Sequence, residues 1–306
     1  MKQQNLKIAT RESQLALWQT RYVAKAYQAH YPGDTVELVP MTTQGDQIQD
    51  KPLNAIGGKA LFMKALEVAM EAGQANCAVH SLKDVPYALP EGFVLAAFCP
   101  RGTPNDAFVS NQYQTFDQLP DSAVVGTSSL RRQAQIQAHW PHLIVKSLRG
   151  NVQTRLRKLD EGQYDAIVLA AAGLERLELH HRITQYIPVD QMIPAVGQGV
   201  IVIECHRDDH QARKRLAVLD HDATRQLVLA ERALNEALEG GCHVPVGAYA
   251  QWQEDQIKLV GFVASVDGKQ LCQAQGLGKD PVALGQQVAE ALINQGARSI
   301  LQQAHS

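Results

Sequence analysis

The feature that most constrains this chain is an alternation of short apolar strands and amphipathic helices that runs once, stops, and starts again. Leu6–Ala9 reads as a strand, and Ser13–His30 as a helix with Leu15, Trp18 and Tyr22 on one face at spacing i, i+3, i+7. Pro32-Gly33 stops that helix. Val36–Pro40 is a second strand, followed by a polar loop, Thr42 to Gly58. Lys59–Glu71 is a helix closed by Gly73, and Cys77–His80 and Val94–Phe98 are buried strands. Pro100-Arg101-Gly102-Thr103-Pro104 then punctuates the chain. The pattern resumes with strand Ala123–Val125, helix Leu130–His139, strand Leu143–Ser147, helix Val152–Glu161, strand Ala166–Leu169 and helix Gly173–Leu179. Such alternation implies parallel sheets covered by helices.

Pro188 to Gly199 is a second punctuated crossing. Val200–Glu204 is a strongly apolar strand with no partner left in the second run, so it is expected back in the first sheet. Two connections then cross between two domains. Thr224–Glu239 reads as a helix with Leu227, Leu234 and Leu238 inward, ending at Gly240-Gly241. Strand-like pieces follow at Val246–Gln251, Ile257–Ser265 and Lys269–Gln275, with Asp267-Gly268 as a hairpin turn, and then a helix, Pro281–Gln295. The expected division is 1–99 with 200–217, then 105–193, then a smaller α+β domain over 222–306. A chain of 306 residues exceeds what one core of about 250–300 residues serves, which agrees with several domains.

Net charge is -2, which argues against a nucleic-acid-binding surface overall but leaves room for a local cationic cleft. The N-terminus carries no signal-peptide run, and no stretch reaches the ~18 apolar residues of a membrane span. The five cysteines, Cys77, Cys99, Cys205, Cys242 and Cys272, are scattered and odd in number. That pattern suits the reducing cytoplasm rather than a disulfide frame or a zinc site. His206 and His210 stand four apart, but no third ligand is visible in the sequence, so no metal site is expected.

Ligands of open parallel sheets bind at the carboxyl ends of the strands. Arg11 follows the first strand, and Ser81, Lys83 and Asp84 follow Val79. Thr127-Ser128-Ser129 with Arg131 and Arg132 follows Val125, Arg149 follows Ser147, Arg155 lies in the next helix's first turn, and Arg176 follows the 166–169 strand. Gly126 to Ser129 before a helix offers hydroxyls and N–H groups to an anion. Any one arginine is as readily a solvated surface residue; the set at one sheet edge points to a polycarboxylate or polyphosphate ligand. No phosphate-binding glycine loop of nucleotide type is present. Asp84, before Pro86, is either a turn residue or a general acid/base that stabilises a cation. Strict strand alternation would set Lys83 and Asp84 on opposite faces, so a shared face requires an irregular strand end. Cys242, in Gly240-Gly241-Cys242-His243-Val244-Pro245, reads as an exposed loop cysteine just past a helix C-terminus. The negative helix end disfavours a thiolate there, which fits an anchor formed once better than a nucleophile used every turnover.

Six blocks carry a resemblance. Ala9-Thr10-Arg11-Glu12-Ser13-Gln14-Leu15-Ala16, Ala78-Val79-His80-Ser81-Leu82-Lys83-Asp84-Val85-Pro86, Gly126-Thr127-Ser128-Ser129-Leu130-Arg131-Arg132, Leu148-Arg149-Gly150-Asn151-Val152, Pro194-Ala195-Val196-Gly197-Gln198-Gly199 and the Gly-Gly-Cys loop resemble the porphobilinogen deaminase family. The resemblance implies an α/β fold of two periplasmic-binding-protein-like domains plus a smaller C-terminal domain. It implies a transferase, hydroxymethylbilane synthase, which condenses four porphobilinogens on a dipyrromethane cofactor held as a thioether by Cys242. It implies Asp84 as the catalytic carboxylate, with Lys83, Ser81, Ser129, Arg131 and Arg132 around the cofactor. It implies Arg11, Ser13, Phe62, Thr127, Ser128, Arg149, Arg155, Arg176 and Gln198 around porphobilinogen and the growing pyrrole chain, in a cytoplasmic monomer. Two other readings compete: a non-catalytic anion-binding sensor module, which gives Asp84 and Cys242 no role, and a cysteine hydrolase using Cys242 and His243.

Overall fold

A computed structural model describes residues 4–43, 60–239 and 244–305, with only the backbone of 60–62 and 304–305. The chain divides into two units, Met1–Gly102 with Val200–Arg225, and Thr103–Gly199 with Gln226–Ser306.

The first unit begins with β1 (Asn5–Arg11), α1 (Gln14–His30), β2 (Thr35–Met41), α2 (Ala60–Glu71), β3 (Cys77–Ser81) and β4 (Phe93–Phe98). The chain then enters the second unit with β5 (Asp106–Val109), β6 (Val124–Gly126), α3 (Leu130–His139), β7 (Ile144–Lys146), α4 (Val152–Asp160), β8 (Ala166–Ala170), α5 (Ala171–Arg176) and β9 (Gln185–Tyr186). It returns with β10 (Ile201–His206) and α6 (His210–Leu216), and closes with α7 (Asp222–Ala237), β11 (Val246–Gln253), β12 (Gln256–Ala264), β13 (Leu271–Gly278), α8 (Pro281–Asn294) and α9 (Ala297–His305).

The first unit's sheet has the order β2-β1-β3-β10-β4. β10, the Val200–Glu204 run, does return to this sheet, but it lies antiparallel to both β3 and β4. The expectation of purely parallel sheets is therefore corrected. A strand arriving from another unit need not be preceded by a crossover helix of its own, so nothing forces it parallel. Ile8, Val79, Ile201 and Ile203 form one core with Val23 and Tyr27 of α1. Ser13 caps α1, its hydroxyl accepting from Ala16 N at 3.3 Å. The buried face of α1 is Gln19, Thr20, Val23, Ala24 and Tyr27. Trp18 and Tyr22 instead stack on each other at its flank, 5.7 Å between rings. Within this face Thr20 donates to Thr10 of β1 at 2.7 Å.

The second unit's larger sheet has the order β7-β6-β8-β5-β9, with β6, β7 and β8 parallel and β5 antiparallel to β8. β5 and β9 are elements that the repeating pattern did not announce. The same unit holds an antiparallel meander, β11-β12-β13. Leu227, Leu234, Ile257, Leu259, Val288 and Leu292 make its core with α7 and α8. Phe262 and Ala264, with Ala134 of α3, bury a second cluster. Gly268, at φ +71, turns the β12–β13 hairpin so close to α3 that a Cβ there would meet Ala134 O at 2.6 Å. The buried leucines of α7 and the hairpin position agree with the reading above.

Helices α7 and α8 touch through Gly285, where an added Cβ would lie 2.5 Å from Ala230 O and 2.8 Å from Leu234 N. Overpacking costs about 1–3 kcal/mol. Gly285→Ala should lower the unfolding free energy by that amount, read by circular dichroism as a lower urea midpoint at an unchanged m-value.

Candidate functional site

In the first unit β1 and β3 are parallel neighbours, Ala9 opposite Ala78, so their carboxyl ends share an edge. This edge gathers Arg11, Ser13, Ser81, Lys83 and Asp84. β3 stops at Ser81, and Leu82–Asp84 form a single 3-10 turn. That turn breaks the strand alternation, so the irregular end demanded by a shared face for Lys83 and Asp84 is present. Leu82 N donates to Val200 O at 2.9 Å, which fixes the turn to the start of β10. Ser81 Oγ accepts from the buried Gln19 amide at 2.8 Å. Lys83 and Asp84 are half-buried.

One residue behind, His80 Nε2 lies 2.9 Å from Glu204 Oε2, joining β3 and β10 in the interior. Glu67 of α2 faces the same region. Burial, and then the Glu204 charge, push its carboxyl up to about 7. A carboxyl raised in the folded state favours folding while protonated, and that gain fades as pH rises from its unfolded value through 7. Thermal stability should therefore fall between pH 5 and pH 8, and Glu67→Gln should flatten that fall.

In the second unit the carboxyl ends of β6, β7 and β8 share an edge. Gly126 ends β6 where a Cβ would meet Tyr164 at 2.8 Å, so Tyr164 packs directly on the backbone there. Thr127 Oγ1 accepts from Ser129 N at 3.2 Å, and Ser128 Oγ donates to Leu148 O at 2.8 Å. Ser129 stands at the N-terminus of α3 without capping it. Arg155 Nε donates to Gly150 O at 2.8 Å, and Arg176 Nη2 to Gly199 O at 2.7 Å. Gln198 Nε2 donates to Pro104 O at 2.6 Å.

Arg131 and Arg132 are the most constrained of the set, at 5% and 6% exposure. Both pair with Asp106, the first residue of β5, which is 0% exposed. Arg131 Nη2 donates to Asp106 Oδ2 at 2.7 Å, and Arg132 Nε and Nη2 donate to Oδ1 at 3.0 and 2.7 Å. Burial alone would raise the Asp106 carboxyl, but the two guanidiniums overcome it and hold it at about 2. Arg131 Nε and Arg149 Nη1 are buried with no hydrogen-bond partner among the described residues. Asp106, which the sequence did not single out, is the buried anion that these two arginines face; two adjacent arginines opening one helix were the local sign of it. Phe62 and Cys242 lie outside the residues whose side chains are described. The remaining cysteines, Cys77, Cys99, Cys205 and Cys272, are buried thiols, and burial pushes Cys205 up to about 11.

Asp106, depressed from 3.8 to about 2, contributes stability that is full above pH 4 and is lost as pH falls through 2. A shift of that size is worth about 2 kcal/mol. The denaturant midpoint should drop across that window in the wild type, and less so in Asp106→Asn.

Each unit thus presents cationic and hydroxyl side chains at the carboxyl edge of a mixed sheet, in an α/β protein. No described helix is long and apolar enough to cross a membrane. The family model described as porphobilinogen deaminase, dipyromethane cofactor binding domain, matches residues 6–214, and that of the porphobilinogen deaminase C-terminal domain matches residues 225–294. Porphobilinogen deaminases of Francisella tularensis subsp. holarctica (strain LVS) and subsp. novicida (strain U112) are each 54% identical over 295 residues, 96% of this chain and 98% of theirs. Among solved structures, the methionine binding protein MetQ is 15% identical with a TM-score of 0.47, covering 82% of this chain and 99% of its own. The Bordetella pertussis BvgS periplasmic VFT2 domain is 16% identical with a TM-score of 0.40, over 70% and 86%.

The chain belongs to the porphobilinogen deaminase family, transferases of tetrapyrrole synthesis whose cofactor is dipyrromethane. Membership sets aside the sensor-module and cysteine-hydrolase readings.

Proposed function

We propose that this chain condenses four porphobilinogens head to tail, with loss of ammonia, and releases hydroxymethylbilane by hydrolysis. Asp84 is the catalytic carboxylate, Cys242 the cofactor anchor, and the arginine edges the carboxylate binders. The observation that carries the reading is the pair of buried donors, Arg131 Nε and Arg149 Nη1, that lack partners among the described residues. Buried donors left unmet cost about 1–3 kcal/mol each, more when charged, so an anionic ligand is the natural complement.

The dipyrromethane fits this donor set because its pyrroles carry carboxylates; when bound, it supplies the nucleophilic carbon on which the chain is built. Cys242 would hold it, with Lys83, Ser81, Ser129, Arg131 and Arg132 around its acids. Elimination supports Cys242, since the other four cysteines are buried thiols.

Porphobilinogen brings one acetate and one propionate per ring, so every condensation adds two negative charges. Each charge-assisted hydrogen bond returns about 1.5–3 kcal/mol, so many cationic groups are needed to hold the product. Arg11, Arg149, Arg155 and Arg176 supply them, with Ser13, Thr127, Ser128, Gln198 and Phe62 as further contacts. When the aminomethyl group loses ammonia, the substrate becomes a cationic methylene-pyrrolenine. Asp84, on a turn fixed to β10, assists the departing amine and then stabilises that cation. Three domains, 1–99 with 200–217, 105–193 and 222–306, a cytoplasmic location and a monomeric state complete the reading.

Intact-protein mass spectrometry of active protein should show an excess of two pyrrole units, lost in Cys242→Ser; a bare-chain mass in active enzyme rejects the tether. Asp84→Asn should keep the added mass and lower kcat by about 10²–10⁴-fold. Light scattering at working concentration checks the monomer.

A further inference from the structure

We infer that Asp106 is a positioning residue for the cofactor: it holds Arg131 and Arg132 as a buried pair carrying one surplus positive charge, which a ligand carboxylate completes. This rests on the reading above but adds a residue to it, one that makes no proposed contact with substrate or cofactor.

The count of charges comes first. Two guanidiniums, Arg131 and Arg132, face one carboxylate, which stands between them. The charges acting on Asp106 are these two arginines, and those acting on Arg131 are Asp106 and Arg132. One arginine would neutralise the Asp106 carboxylate; two leave the group with one positive charge in excess. With Arg132 at 6% exposure that excess charge is buried, which is costly unless a further anion pairs with it.

Geometry points the same way. Asp106 Oδ1 accepts from Arg132 Nε at 3.0 Å, Arg132 Nη2 at 2.7 Å and Gln198 Nε2 at 3.0 Å, and Oδ2 accepts from Arg131 Nη2 at 2.7 Å. On their other sides the guanidiniums meet main-chain carbonyls, Arg131 Nη1 on Ile193 O at 2.6 Å and Arg132 Nη1 on Val168 O at 2.9 Å. Each arginine is therefore held on two sides, and Arg131 Nε remains unmet. β5 runs antiparallel to β8, with Asp106 opposite Ala170. That register sets Asp106 at the carboxyl edge where Thr127 and Arg149 also lie. The carboxylate thus pre-orders the donors before any ligand is present, which lowers the entropy lost on binding.

The test compares full-length wild type, Asp106→Asn, Asp106→Glu and a core control, Phe116→Leu, by intact mass and thermal melting. Phe116 is buried in the apolar cluster with Phe108 and Val125 and serves as a stability match. In folded Asp106→Asn the ratio of cofactor-bearing to bare protein should fall at least tenfold, while Phe116→Leu keeps the wild-type ratio despite a lowered Tm. A wild-type ratio in folded Asp106→Asn, or an equal loss in Phe116→Leu, overturns the inference. Should Asp106→Asn fail to fold, Asp106→Glu decides: it keeps the charge but displaces it, so an unchanged ratio is contrary and a reduced one supports the role. A wild type lacking the added mass would instead refute the proposed function, whatever Asp106 does.

Discussion

Two guanidiniums sharing one carboxylate, all three out of water, organise the second unit. Asp106 engages Arg131, Arg132 and Gln198 at once, and Arg131 reaches on to the Ile193 carbonyl. The crossing segment that ends in Gly199 is held from another side by the buried Glu231, which accepts from Gly197 N at 2.7 Å and Ala250 N at 2.8 Å. Two buried carboxylates therefore fix the same stretch of chain, one through β5 and one through α7. A buried polar group left unpaired is costly, and Arg131 Nε is the member of this network that donates to nothing among the described residues.

Two aspartates on two sheet edges illustrate how environment assigns a role. Asp106 is enclosed and doubly paired, and it stays ionised far below neutral pH. It can orient, but it cannot exchange a proton during turnover. Asp84 is half-buried on a short turn at a strand end. The interior pair His80–Glu204 anchors the strand behind that turn without touching its chemistry.

Much of this was legible from periodicity. The first strand, α3, the return of β10 and the Asp267-Gly268 hairpin follow from pattern and turn chemistry, because each depends on neighbours in sequence. What escaped depends on neighbours in space. β5 is four residues long and opens with a charged residue, so no local rule marks it as a central strand. Its partner residues are 25 and 26 positions away. The Leu15, Trp18 and Tyr22 stripe lies beside the buried face of α1, which runs through Gln19, Thr20, Val23, Ala24 and Tyr27; its two polar members hide it from a hydrophobic pattern. The arginines were identifiable as a set, whereas their division into deeply anchored and half-buried members required the strand order.

The central claim is that the unmet guanidinium donors are completed by pyrrole carboxylates. A crystal structure of the full-length protein purified with its native cofactor tests it most directly. The expected result is density continuous with Cys242 Sγ and carboxylate oxygens at about 2.7–2.9 Å from Arg131 Nε and Arg149 Nη1. Those nitrogens meeting only water or protein atoms, with the pyrroles bound elsewhere, would contradict it.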